Sequence, residues 1–264
     1  MKKYWEVFKI TWQQLLIYRV NFALWRLRTI LQLLLVYFIW WSVFQSQDKV
    51  FGYTTASILT YVLVAALMRA VVLSTRVTDM IDSINSGNIV NFLIKPLGFI
   101  RYYLTRDIAD KLFNIGFYIA EVSLLILLLK PPIIIQTKLP VLIPFFIATL
   151  GGLVIYFCIN FIVSLTAFWV ENSWGPLFLM SVFLESLGGG LFPIDILPKP
   201  LFDILMLTPF PYLIYFPAKL YLGSMSYSEI ISGFSIIFIW ITVLVALMRV
   251  SINAGFRHFS AVGN

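Results

Sequence analysis

The sequence predicts an all-α integral membrane protein with six transmembrane helices. Of its 264 residues, 61% are apolar and only 12% are charged, whereas soluble domains average about 25% charged residues. Several apolar runs approach or exceed ~18 residues, the length that crosses a hydrocarbon core about 30 Å thick. A transmembrane barrel would instead show alternating segments of ~10 residues, and this pattern is absent from the sequence.

Residues 1–22 are predicted to form an interfacial helix. Within this segment Trp5, Phe8, Trp12 and Leu15 or Leu16 fall on one helical face. The opposite face carries three polar residues: Glu6, Lys9 and Gln13. A helix with this distribution lies in the plane of the membrane surface, with its aromatic rings at headgroup depth. The alternative is a basic cytoplasmic flank. Because charge interrupts the first apolar run and no small-residue cleavage site follows it, a cleavable signal is not expected.

Six apolar segments are predicted to span the membrane. They lie at 24–44, 54–74, 112–129, within 141–169, at 174–192 and at 230–250. The fourth segment is long for an untilted span and too short for two spans with a turn. We therefore expect the fourth helix to tilt or to extend into the interface.

Residues 191–229, between the fifth and sixth spans, are apolar but rich in proline. The prolines are Pro193, Pro198, Pro200, Pro209, Pro211 and Pro217. Proline removes a backbone hydrogen bond, and lipid offers no replacement, so a continuous helix of ~20 residues does not fit here. The pattern predicts a re-entrant hairpin of short helices that enters the outer leaflet and returns.

The distribution of basic residues predicts the orientation of the chain. Most of the 19 lysines and arginines lie before or at the start of the first span, around residues 75–111, or after the last span. The exceptions are Lys49, Lys130, Lys138, Lys199 and Lys219. The positive-inside rule then places both termini and the 75–111 loop in the cytoplasm. The net charge of +7 follows from this topology, and no nucleic-acid partner is expected.

The sequence offers little for catalysis. It contains one histidine, His258, and one cysteine, Cys158, which are too few for a metal site. It also lacks the G-x-x-x-x-G-K-[ST] phosphate loop. We therefore expect the chain to bind no cofactor and to catalyse no reaction by itself, and we expect Cys158 to be a packing residue.

Three ionisable residues fall inside predicted spans: Arg69, Glu121 and Glu185. Charges in lipid are costly and usually face protein or a water-filled path. Each glutamate is therefore a candidate for a translocation path or for a buried pair with a basic residue. Arg69 alternatively extends its charge to the membrane surface. The depths of the predicted spans place Glu185 too near the outer side to meet Arg69.

A polar segment in the 75–111 loop predicts a short cytoplasmic helix. Asp79 and Asp82 suit its first turn, where the helix dipole favours negative charge. Ile81 and Ile84 give it an apolar edge, and Gly87 suits a left-handed helix end. A second short piece stops before Pro96, because Lys95 precedes a proline and disfavours the α conformation. The alternative is an interfacial loop that faces lipid.

Three motifs occur in order along the chain. The first is Gly87, Leu93, Lys95, Pro96 and Leu97 in the predicted cytoplasmic loop. The second comprises Pro193, Leu197, Pro198, Pro209, Phe210 and Pro217 in the predicted outer hairpin. The third is Arg257, Phe259 and Gly263 near the end. Together they resemble the permeases of type-two ABC exporters, in particular the small bacterial branch with six helices, in which another basic residue is common at the position of His258.

This resemblance covers nearly the whole chain and implies one transmembrane domain, residues 1–264. Such a permease dimerises with an identical or homologous permease in the bacterial cytoplasmic (inner) membrane. It also docks two ATPase subunits, which carry ATP and Mg. The resemblance assigns a coupling role to the cytoplasmic element: Asp79, Ile81, Asp82, Ile84, Asn85, Gly87, Leu93, Lys95 and Pro96.

The resemblance therefore implies ATP-driven export through a path that this chain forms. Two alternatives remain at this point. One is a secondary transporter driven by an ion gradient, with a proton- or sodium-linked carboxylate at Glu121 or Glu185. The other is a membrane scaffold without transport activity. The sequence does not indicate a substrate.

Overall fold

The computed structural model describes residues 2–17, 19–47, 49–93, 95–170 and 173–258. Most of them are α-helical. The helices are α1 (Lys2–Ile17), α2 (Arg19–Val43), α3 (Thr55–Val71), α4 (Asp79–Asn85), α5 (Ile89–Leu93), α6 (Phe99–Leu129), α7 (Leu139–Leu165), α8 (Trp174–Leu187), α9 (Lys199–Met206), α10 (Tyr215–Leu222) and α11 (Tyr227–His258). Three 3₁₀ turns join them: Thr166–Phe168, Ile194–Ile196 and Phe210–Tyr212.

The six predicted spans fall on α2, α3, α6, α7, α8 and α11. Among the described residues, four helices are long and apolar enough to cross a membrane: Phe22–Val43, Phe99–Leu129, Leu139–Phe168 and Tyr227–His258. The remaining two, α3 with 17 residues and α8 with 14, are shorter than the ~20 residues that a full crossing needs. That all six cross the membrane stays a prediction.

Several helices differ in length from the spans predicted on them. The third predicted span began at residue 112, but α6 already begins at Phe99 and so extends well beyond the apolar run. The fifth was predicted to reach residue 192, but α8 ends at Leu187, before the glycines at 188–190. The sixth was predicted at 230–250, whereas α11 runs from Tyr227 to His258.

The structure contains one small element that the all-α prediction did not include, a β-hairpin outside the helices. β1 (Lys49–Val50) pairs antiparallel with β2 (Tyr53–Thr54). The two residues between the strands, Phe51 and Gly52, have φ angles of +53° and +80°. Positive φ at both positions is typical of the type I′ turn that matches the twist of two-residue hairpins.

α7 is the central helix of the fold. It is the most buried of the four long apolar helices, and α11, α10 and α8 pack against it. Gly151 allows the close approach of α11, because a Cβ at this position would lie 2.7 Å from Cγ2 of Ile237. Small residues at such contacts are typical of packing between membrane helices, where the backbones approach closely. Cys158 is buried within α7.

α1 packs along α6, so part of the face that was predicted to meet the membrane contacts protein instead. Nε1 of Trp12 donates to the carbonyl of Ala109 at 2.7 Å, and Thr11 and Leu15 are buried. Leu16, which was grouped with Leu15, is exposed. One face of α1 therefore rests on the protein, and a flank with Trp5 and Leu16 is exposed.

The segment predicted as an outer hairpin consists of short helical pieces, as expected from its prolines. Pro193, Pro198 and Pro209 each precede a helical piece, while Phe210 begins the last 3₁₀ turn and Pro217 lies in the first turn of α10. Proline is tolerated there because the N–H groups at a helix start lack intrahelical partners. α10 is largely buried, whereas α9 contains no buried residue.

Candidate functional site

The segment that the sequence predicts to be a cytoplasmic element forms two short helices, α4 and α5. Asp79 and Asp82 occupy the first turn of α4, as predicted, and Ile81 and Ile84 are buried. Gly87 has a φ of +72°, the left-handed conformation expected after a helix end. α5 ends at Leu93, ahead of Pro96. The local structure therefore follows the sequence pattern closely.

α4 is fixed to the rest of the chain on its apolar side. It packs against α7 and the turn Thr166–Phe168, and Ile81 is fully buried in the main hydrophobic cluster. An ion pair adds a polar anchor, since Nη2 of Arg106 in α6 lies 2.6 Å from Oδ2 of Asp79. This helix is consequently part of the transmembrane body and not a loosely tethered loop.

The exposed tip of this element is largely polar. Its exposed residues are Asp82, Asn85, Ser86, Gly87, Asn88 and Val90. Lys95 and Pro96 are exposed as well, and Nζ of Lys3 in α1 donates to the carbonyl of Pro96. The third sequence motif was based partly on Phe259 and Gly263, which lie outside the described residues.

A buried polar network joins α6 to the segment just after α3, and sequence reasoning missed it. Nζ of Lys111 lies 3.2 Å from Oδ2 of Asp107 and donates to the carbonyls of Val72 and Ser74 just after α3. Thr75 donates to the other Asp107 oxygen at 2.6 Å. The available signal was the spacing of Asp107, Asp110, Lys111 and Asn114, which places them on adjoining faces of one helix. The predicted start of the span at 112 concealed this spacing.

Glu121 forms a closed pair inside the membrane region. Arg26 donates from Nε to Oε1 at 2.7 Å and from Nη2 to Oε2, and its Nη1 bonds to Asn114. The side chains of both ion-pair partners are 11% exposed. Buried pairing was one of the two predicted roles of Glu121, with Arg26 as the partner in place of the suggested Arg69.

The prediction that Glu185 cannot meet Arg69 was wrong. Nε of Arg69 lies 3.1 Å from Oε1 of Glu185, and Nη2 donates to the carbonyl of Gly190 at 2.8 Å. Gln32 in α2 donates to the same Glu185 oxygen. The depth argument failed because α8 is short and ends in the glycine turn, so Glu185 lies level with the middle of α2. Arg69 is also held inside the protein and does not extend to the membrane surface.

The outer hairpin has a polar anchor of its own, formed by Tyr53, Asp195 and Lys219. The hydroxyl of Tyr53 donates to Asp195 at 2.9 Å, and Nζ of Lys219 donates to Oδ2 of Asp195 at 2.9 Å. The Lys219 ammonium also lies 4.8 Å from the centre of the Tyr53 ring. Burial, followed by the Asp195 carboxylate, raises the pKa of Tyr53 well above its ordinary value, so this phenol stays protonated and donates.

No group of three or more histidine, cysteine, aspartate or glutamate side chains is placed to hold a metal ion within the described ranges. The functional candidates are therefore two: the cytoplasmic element and the ionisable groups among the helices.

Comparison with known families decides the class of the protein. The model of the ABC-2 family transporter proteins matches residues 30–263. The chain belongs to this family. It is thus an ABC-2 type permease subunit, a membrane protein of the ABC transporter class. Among curated proteins and among solved structures, nothing matches the chain.

Proposed function

We propose that this ABC-2 permease forms the translocation path of an ATP-driven export system, and that a separate ATPase docks on α4 and α5. One observation carries the proposal: a short helix, α4, is anchored to the other helices by a buried face and leads into a largely polar, exposed tip. A chain without a phosphate loop needs an external source of work, and a rigidly attached protrusion can receive it.

The burial pattern divides the predicted coupling residues into two groups. Ile81 and Ile84 are buried inside the permease, so their role is to fix α4 to the body. The surface that meets the ATPase is formed by exposed positions, with Asp82, Asn85 and Gly87 at its centre. Lys95 and Pro96 border this surface next to α1.

The anchored helix also provides a route for movement. α4 is linked to α6 by the Arg106–Asp79 pair and packs on α7, and α7 packs in turn on α10 in the outer hairpin. ATP-dependent closure of two ATPase subunits would displace α4 and thereby reorient these helices, exposing the path alternately to the two sides.

The remaining parts of the assembly follow from the same proposal. The permease pairs with a second permease, identical or homologous, in the bacterial inner membrane with both termini in the cytoplasm. ATP and Mg bind to the ATPase subunits and not to this chain. The family assignment favours this function over an ion-gradient-driven transporter and over a scaffold.

An insertion at the tip tests the docking surface. A four-residue Gly-Ser insert between Gly87 and Asn88 should abolish co-purification of a vanadate-sensitive ATPase activity with the tagged permease. The matched control is the same insert between Ser224 and Met225, in the outer connection between α10 and α11, which should retain the activity. Full ATPase recovery with the tip insert would contradict the docking assignment.

A transport assay tests the energy source. Vesicles that contain the permease and its ATPase should accumulate solute only when ATP is supplied on the ATPase side. Accumulation by the permease alone, driven by a proton or sodium gradient, would show that the secondary-transport alternative is correct.

A further inference from the structure

The two intramembrane acid–base pairs differ in how completely they are satisfied. In the Arg26–Glu121 pair, the guanidinium engages both carboxylate oxygens, and both side chains are equally buried. This pair is self-contained, since the acid has a donor on each oxygen and the base has a further partner in Asn114. Its geometry is that of a structural link between α2 and α6.

The Arg69–Glu185 pair is incomplete. Gln32 and Arg69 both meet Oε1 of Glu185, while Oε2 receives no hydrogen bond from the residues that the structure describes. Arg69 contacts Glu185 through Nε, which lies 3.1 Å from Oε1 but is poorly aligned for a hydrogen bond. Exposure is uneven as well: the Glu185 side chain is 31% exposed and the Arg69 side chain is 15% exposed.

The position of Glu185 explains why the lack of a hydrogen bond to Oε2 matters. Gln32, its partner, lies near the middle of α2 (Arg19–Val43), a helix long and apolar enough to cross a membrane, so the proposed path places this carboxylate inside the bilayer. A charged oxygen without a donor is unfavourable there, which makes an external donor at this point strongly preferred. The pair therefore has the character of a binding site in need of a ligand.

The surface next to Glu185 suggests the chemistry of that ligand. Trp174, Phe178, Ser181 and Glu185 follow at intervals of four, three and four residues, which places them along one face of α8. Trp174, Phe178 and Ser181 are exposed on this face. Apolar and aromatic surface beside a carboxylate suits an amphipathic molecule, whose apolar tail packs on the rings while its charged group meets the acid.

We propose that Glu185 binds the ammonium head group of an amphipathic organic cation whose apolar tail lies along the exposed face of α8. The sign of the charge follows from the exposure: the acid is the accessible member of the pair, and the base is buried behind it. An anionic ligand would meet the carboxylate first and be repelled. This inference names a substrate class for the proposed path and so rests on the proposed function.

A second permease is the competing source of a donor, because its own side chains can cover the same oxygen. In that case Glu185 would be part of a protein interface and unavailable to small molecules. The two sources are distinguishable by whether a soluble cation competes at the site.

Protection of an engineered cysteine tests the site without altering Glu185. The native Cys158 is buried, so Ser181→Cys, one turn before Glu185, provides a specific label site. The full-length protein with its ATPase is placed in phosphatidylcholine vesicles without nucleotide. Dodecylammonium should slow maleimide labelling of the engineered cysteine, and dodecanoate at the same concentration should not. Equal effects of the two amphiphiles would overturn the proposal, and so would a cysteine that is inaccessible because a second permease covers it.

Substitution of the carboxylate tests its role directly. Glu185→Gln should weaken dodecylammonium binding at least about tenfold, since hydrogen bonds to charged groups are worth at least that factor. Glu185→Asp, which keeps the charge, should retain most of the binding. The matched control is Glu6→Gln, which removes an exposed carboxylate from α1 and should bind like the wild type. Unchanged binding in Glu185→Gln would overturn the proposal.

The cation-binding result and the proposed ATPase docking can fail independently of each other. Because cation binding is measured without ATP, loss of ATPase docking would leave it intact. Conversely, failure to bind the cation would leave ATPase co-purification unaffected.

Discussion

α4 and α9 are short helices of similar length on opposite sides of the predicted membrane, yet they are held in different ways. α4 has seven residues and buries Met80, Ile81 and Ile84. α9 has eight residues and buries none; its Leu201 and Ile204 are exposed. α4 is therefore part of the protein core, whereas α9 packs on the edge of the core.

The difference shows how each element can move. Displacing α4 separates buried apolar surface, which costs about 25 cal/mol for each Å² exposed, so α4 transmits force to the helices beneath it. Displacing α9 separates less buried surface, because its core-facing Phe202, Leu205 and Met206 are only partly buried. The outer segment is also held by the largely buried helix α10 and by the Tyr53–Asp195–Lys219 anchor.

The strongest test of this comparison is truncation of one buried and one exposed isoleucine. Ile81→Ala should destabilise the permease by about 2–5 kcal/mol, the usual cost of emptying a core site. Ile204→Ala, the matched change on α9, should leave stability nearly unchanged. Thermal unfolding in detergent, followed by size-exclusion chromatography, measures both. Equal melting temperatures for the two variants would show that α4 is not part of the core.

The second-largest expected effect concerns the Tyr53–Asp195–Lys219 anchor. Asp195→Asn leaves Lys219 without its carboxylate and should cost about 2 kcal/mol, since hydrogen bonds between charged groups are stronger than neutral ones. Asp203→Asn is the control, because its pair with Lys199 is well exposed and such pairs contribute little. The same melting assay applies. If both aspartate variants unfold alike, the anchor does not secure the hairpin.

The smallest expected effect is at the tip of the cytoplasmic element. Gly87→Ala should cost about 1 kcal/mol, because alanine resists the left-handed conformation, although a Cβ there would have open space. Gly87→Asn should cost less, as asparagine tolerates this conformation. Gly116→Ala, also in open space but within α6, is the control and should not destabilise. Wild-type melting behaviour and ATPase affinity in Gly87→Ala would argue against a required left-handed residue.

Local features of the fold could be predicted well from the sequence. The acidic first turn of α4, its apolar edge and the glycine after it depend on residues a few positions apart, and all three occur as expected. The breaks in the outer segment follow from proline, whose effect on a helix is independent of the surroundings. Such features are determined by residues within the same segment.

Features that depend on distant residues could not be predicted. The partners in the Arg26–Glu121 and Gln32–Glu185 contacts are far apart in sequence. Their pairing depends on how the helices pack. The Arg69–Glu185 pair was missed because span length was taken as a measure of depth, and α8 is shorter than its apolar run suggested. The β-hairpin was missed because Val50 and Tyr53 form too short a pattern to stand out.

The glycine turn after α8 joins two parts of the molecule more firmly than its length suggests. Its carbonyls at Gly189 and Gly190 accept hydrogen bonds from Tyr61 and Arg69 of α3. Lipid cannot replace these donors, and each bare carbonyl in hydrocarbon would cost several kcal/mol. α3 and the end of α8 must consequently travel as one rigid unit, so a hinge in this permease has to lie at the borders of that unit and not within it.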